Sequence, residues 1–135
     1  MAHDHHVYML LADAAAERRD PAALERYLPR LRELAERDGH QLYIGIARRT
    51  EAVARRLAGE LNEAQALGMQ ALEIFAHLDT AWQMGRTRLE LASVARAQGD
   101  TVAAREHLAQ ALVQFERLGA APDSDRTRAE LAALG

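Results

Sequence analysis

Few side chains in this 135-residue chain can do chemistry, and their types exclude most of it. There is no cysteine, so disulfides, thiolate metal sites, redox motifs and cysteine nucleophiles are all removed. All 17 basic residues are arginine; without lysine, Schiff-base chemistry and Walker-type phosphate binding have no residue to use. Ser93 and Ser124 have no neighbouring histidine and aspartate in a triad-like order, and no glycine-rich phosphate loop exists. His3, His5 and His6 cluster at the N-terminus, where metal affinity competes with a plain frayed end offering no fixed fourth ligand. His77 and His107 have no second histidine at metal spacing, which points to structural or surface roles. The expectation is no catalytic residue, no metal and no cofactor.

Arginine is what remains for recognition. Its planar fork binds carboxylates or phosphates through paired hydrogen bonds. The segment 41–58 carries Arg48, Arg49, Arg55 and Arg56 against Glu51 alone, and 81–97 carries Arg86, Arg88 and Arg96 against Glu90. The segment between them carries Glu60, Glu63, Glu73 and Asp79 with no arginine, so a net charge of -3 conceals a basic layer beside an acidic one. That net charge argues against nucleic-acid binding through bulk charge. A helix-turn-helix at 41–58 is the remaining DNA-binding option, and the repeat described next already accounts for that hairpin.

The elements that position these arginines follow from an internal repeat, which decides the fold before local structure does. At a 40-residue offset the identities include Arg56/Arg96, Gly59/Gly99, Ala64/Ala104, Gln70/Gln110, Ala71/Ala111, Leu72/Leu112, Phe75/Phe115, Leu78/Leu118, Arg86/Arg126 and Leu91/Leu131. A weaker first copy places Leu11, Ala12, Asp20, Ala23, Leu28 and Gly39 over Leu91, Ala92, Asp100, Ala103, Leu108 and Gly119. Asp20-Pro21, Asp100-Thr101 and Thr80 with Gln83 read as helix starts, and Gly39, Gly59, Gly99 and Gly119 as helix ends. The spacing predicts helices at 4–18, 21–37, 41–58, 61–78, 81–97, 101–118 and 124–134. The 29 alanines and 4% aromatics agree with helix throughout.

Apolar residues recur at helical spacing, as in Leu108, Ala111, Leu112, Phe115 and Leu118, and equivalently Ala64, Leu67, Ala71, Leu72 and Phe75. One hairpin cannot bury such a stripe alone, so neighbours must stack. Small residues at Ala52, Ala92 and Ala132, facing Ala64, Ala71, Ala104 and Ala111, let them approach closely. Trp82, near a helix start, either anchors packing between units or stands as an exposed hot spot for a partner.

The pattern resembles the tetratricopeptide repeat. The family's order of leucine, small residue, turn glycine, alanine, leucine and alanine reads here as Leu91, Ala92, Gly99, Ala104, Leu108 and Ala111. A second copy reads Ala52, Gly59, Ala64 and Ala71; the first keeps Leu11, Ala12, Leu28 and Leu31; the last is the half-unit Leu131 and Ala132. Two departures are a period of 40 rather than 34 residues and a missing unit-end proline. The longer unit is similar to the variant in large bacterial ATP-dependent transcriptional regulators and adenylate cyclases, which implies a signalling context. The resemblance implies an all-α, right-handed solenoid of about three and a half repeats and seven antiparallel helices. Its units would be 4–37, 41–78, 81–118 and 124–134, all within one domain spanning 1–135.

The resemblance also implies that the first helix of each hairpin lines a concave face where peptides dock. Carried over residue by residue, that face comprises Ile46, Arg49, Val53 and Arg56, then Arg86, Leu89, Ser93 and Arg96. Arg126 and Ala129 continue the row, and His6, Met9 and Asp13 begin it. Two outcomes stay open for the arginines: a groove for an acidic helix, tail or peptide terminus, or internal pairing with carboxylates of adjacent helices. The expected function is a non-catalytic interaction scaffold in bacterial signalling or transcriptional regulation; the alternative is a sensor of an anionic metabolite. The apolar ends, Val7 to Leu11 and Leu131 to Leu134, could pair in a homodimer or be covered by flanking repeats. No signal peptide and no window of about 18 apolar residues is present, so the expected location is the cytoplasm, with no membrane contact.

Overall fold

The computed structural model describes the backbone of residues 2–134 and the side chains of 8–134 other than Asp38. Seven helices account for it: α1 (Ala2–Glu17), α2 (Pro21–Asp38), α3 (Gln41–Leu57), α4 (Leu61–His77), α5 (Ala81–Ala97), α6 (Thr101–Leu118) and α7 (Ala121–Ala133). No strand occurs among the described residues, and the protein is all-α. None of these helices is long and apolar enough to cross a membrane.

Local signals set most boundaries. Asp20 accepts a hydrogen bond from the Ala23 amide at 3.2 Å, with Pro21 in the first turn, and Asp100 does the same for the Ala103 amide at 3.0 Å. These caps satisfy amides that an isolated helix start would leave unpaired. Gly39 (φ 61°) and Gly119 (φ 67°) close α2 and α6 in the left-handed conformation, and Asp79 (φ 51°) takes the same conformation in the middle unit without being glycine. Two expectations need correction. Thr80 does precede the first residue of α5, but its side chain makes no cap hydrogen bond, and the Gln83 side chain accepts from Arg49 of α3 instead of folding back on the helix start. The last helix begins at Ala121 rather than 124, since Pro122 in the first turn removes only an amide that lacks a partner anyway.

Each helix packs on its neighbours in sequence, and in addition α1 lies against α3 and α3 against α5. The odd-numbered helices therefore form one layer and the even-numbered ones flank it. The alanines at 52, 64, 71, 92, 104 and 111 are all buried in this stack, whereas Ala132 is exposed. Phe75 and Phe115 are fully buried. A β-carbon on Gly45 would stand 2.7 Å from the Phe75 ring and one on Gly85 2.7 Å from the Phe115 ring, so the two helices of each hairpin meet at the same glycine-on-phenylalanine contact in both units. The repeated Leu78 and Leu118 are not core residues: both are exposed at the ends of their helices.

Candidate binding groove

A cavity of about 380 Å³ opens on the odd-helix layer. It is lined by Asp13, Ala16 and Glu17 of α1, Arg49, Thr50, Val53 and Arg56 of α3, Trp82, Arg86, Leu89, Glu90 and Ser93 of α5, and Asp123, Arg126 and Glu130 of α7, with Arg19 at its rim. Residues three or four apart on each helix supply these walls, because that spacing repeats one helical face.

The structure thus brings Arg49, Val53, Arg56, Arg86, Leu89, Ser93 and Arg126 to one cavity, together with Asp13. Ile46 is not among them: it is buried with Leu31 and Phe75, beneath the face it was expected to line. Arg96 is exposed near the C-terminal end of α5 and does not line the cavity. Met9 packs against the core and Ala129 is exposed outside the lining. The side chains of His3, His5 and His6 lie outside the described residues.

Arg49 is the most buried charge, at 4% exposure. Its Nη1 donates to Gln83 Oε1 at 2.6 Å, and its guanidinium lies 5.4 Å from the centre of the Phe75 ring. Nη2 stands 3.6 Å from Asp13 Oδ1 and is buried without a hydrogen-bond partner. Burial first, and the Arg86 charge second, lower the Arg49 pKa to about 10.

Arg86 spans the groove. Its Nη1 donates to Asp13 Oδ2 and its Nη2 to Glu17 Oε1, both at 2.7 Å, linking α5 to α1 across α3. Burial opposes its charge, but the Asp13 hydrogen bond and the Asp13 and Glu17 charges prevail, and its pKa is raised. Arg126 approaches the same Glu17 at 3.9 Å. Deeper along α3, Arg56 grips Glu90 through two hydrogen bonds, Nε to Oε2 at 2.6 Å and Nη2 to Oε1 at 3.1 Å. Burial pushes the Glu90 carboxyl up despite that pairing. Trp82 both bridges units and lines the groove: it is 41% exposed, stacks under Arg86 at 4.9 Å and donates from Nε1 to Asp123 at 3.3 Å.

The basic inner layer expected from charge counting is corrected by this geometry. Arg19, Arg49, Arg56, Arg86 and Arg126 are matched in the lining by Asp13, Glu17, Glu90, Asp123 and Glu130. Arg48 and Arg55 turn away to Glu36 and to Glu60, on the even-numbered side. Counting charges helix by helix missed Glu17, Glu90, Asp123 and Glu130 as groove residues; their own three- and four-residue spacing on α1, α5 and α7 was the available signal.

No protein-family model matches the chain, and no curated protein matches it either. The groove itself therefore carries the functional reading. Among the described residues no group of three or more histidine, aspartate and glutamate side chains is placed to hold a metal ion. The buried hydroxyls of Thr50 and Thr87 are committed to their own helices, Thr50 to the Ile46 carbonyl and Thr87 to that of Gln83. What the arrangement offers is recognition of charge through guanidinium forks beside one indole.

Proposed function

We propose that the chain is a non-catalytic protein-interaction module of tetratricopeptide type: one domain, a right-handed solenoid of helical hairpins, whose inner groove receives an acidic segment of a partner protein. The reading rests most on Arg49. A guanidinium that is almost wholly buried, opens onto the groove and leaves Nη2 without a hydrogen bond is poorly served by the fold alone. An incoming carboxylate would supply what it lacks. Arg86 and Arg126 stand beside it, and half-exposed Trp82 offers an aromatic anchor of the type that dominates interface energetics. A bacterial signalling or transcriptional assembly in the cytoplasm is the setting this reading suggests.

The test is fluorescence anisotropy with labelled octaglutamate. The expected result is saturable, salt-sensitive binding that octalysine does not reproduce and that Arg86→Gln removes without loss of helical circular dichroism. Equal binding of both peptides, or none, would sink the acidic-segment reading.

A second reading has its own observation. About 380 Å³ lies within the range of small-molecule sites, which favours an anionic metabolite sensor. A dicarboxylate at 100-fold its dissociation constant would then add ~2.7 kcal/mol of stability. Self-association through the ends draws on exposed Leu10 and Leu11 of α1, and light scattering tests it.

A further inference from the structure

The acids that hold Arg86 come from a single helix. Asp13 and Glu17 sit one turn apart on α1, and the residues one 40-residue unit later, Val53 and Leu57, carry no charge. From that turn they serve three arginines on three other helices: Arg86 at 2.7 Å from both, Arg49 at 3.6 Å and Arg126 at 3.9 Å. Only the Arg86 contacts are within hydrogen-bond distance, and Arg49 Nη2, buried beneath Asp13, has no hydrogen bond at all. The two carboxylates thus fill the positions that an acidic ligand would take, while satisfying them incompletely. They are also open to exchange, since the Glu17 side chain is 53% exposed and Asp13 24%.

We propose that Asp13 and Glu17 are an internal substitute for the ligand, and that carboxylates of an acidic partner segment bind by displacing them from Arg49 and Arg86. The groove is self-occupied in the free protein, and α1 acts as its competitor. This rests on the acidic-segment reading above. The apparent affinity of such a groove is reduced by the fraction of time its own acids occupy it. The exchange takes place on a guanidinium 4.9 Å from the ring centre of Trp82, the chain's single tryptophan, which makes indole emission a reporter of it.

The experiment compares wild type with the isosteric, uncharged double variant Asp13→Asn and Glu17→Gln. Labelled octaglutamate is the probe in both. Binding about 10-fold or more tighter in the double variant, with the gain lost when Arg86→Gln is added, supports displacement. Equal affinity in the two proteins overturns the proposal while leaving the acidic-segment reading intact. Binding to neither removes both. If the double variant does not fold, Glu17→Gln alone replaces it: a tighter complex with a larger Trp82 emission change upholds the proposal, and unchanged affinity overturns it.

Discussion

On the outer face Arg128 reaches back 12 residues to Glu116 at 2.7 Å, and Arg48 takes the same step to Glu36 at 3.2 Å. On the inner face Arg56 reaches forward 34 residues to Glu90, and Arg86 reaches back 73 to Asp13. The outer pairs join helices that already adjoin in sequence, and both members of Arg128–Glu116 are 50% exposed. The inner pairs join helices that are not consecutive in the chain, and Arg56 and Glu90 are only 14% and 10% exposed. Water and salt screen the first kind, so making or losing such a pair changes little. The second kind is desolvated, and its energy depends on whether both partners stay.

Removing one carboxylate from each face gives the widest separation. Glu90→Ala leaves the Arg56 guanidinium, only 14% exposed, without its hydrogen-bonded carboxylate, and a loss of about 2–4 kcal/mol is expected, short of the largest buried-pair values because some exposure remains. Glu116→Ala leaves Arg128 in solvent and still 3.1 Å from Asp125, so a change within about 0.5 kcal/mol is expected. Urea unfolding of both variants checks this. Similar losses would mean that the inner pair is as well screened as the outer one, and the contrast between faces would collapse.

Arg49 sharpens the comparison by reversing its sign. With its folded pKa lowered to about 10, below the unfolded value, the native state carries a penalty at neutral pH, where both states are charged. That penalty lifts only as pH rises through about 10 toward the higher unfolded value. Arg49→Met would remove it while filling the space over Phe75, and Asp13 would keep its 2.7 Å partner in Arg86. Thermal unfolding at neutral pH is expected to show unchanged stability or a gain of up to about 1 kcal/mol, with octaglutamate binding lost. A loss above about 2 kcal/mol would instead make Arg49, through Gln83, a structural tie between α3 and α5.

The seven helices were legible because two signals coincide every 40 residues: apolar positions at helical spacing, and turn residues that favour caps. Gly45 and Gly85 repeat at that same interval, but their role against Phe75 and Phe115 depends on how closely the two helices of a hairpin approach, which periodicity does not express. The groove was legible one helix at a time. Helical spacing puts Arg49, Val53 and Arg56 on one face, and equally Arg86, Leu89 and Ser93. It could not say that the helices flanking α3 bury its Ile46, nor that Arg96 falls beyond the cavity. Pairs such as Arg86–Asp13 span 73 residues and form only because stacking brings α1 and α5 to the same opening. Charge balance in the groove is thus a property of the stack, read from contacts and not from counts.

The smallest expected effect comes from the unit where the outer pattern fails. Twelve residues before Arg88 stands Ala76, not glutamate, and Arg88 Nη1 lies 3.1 Å from His107 Nδ1 instead. The guanidinium can only donate, so His107 accepts there as a neutral ring. Burial first, and then the Arg88 charge, lower the His107 pKa from 6.5. Both states are neutral above that value; as pH falls through it the unfolded chain takes the proton first, so stability declines toward the lower folded value and then levels off. Wild type should therefore lose more stability than His107→Gln between pH 7.5 and 5.5. Ala76→Glu would give Arg88 the pair its counterparts have, adding a few tenths of a kcal/mol, about the value of an exposed pair. It should also shrink the His107 step, because Arg88 would turn from the ring to the new carboxylate. Melts at both pH values measure the two effects together, and an undiminished step in Ala76→Glu would show that burial alone keeps His107 neutral.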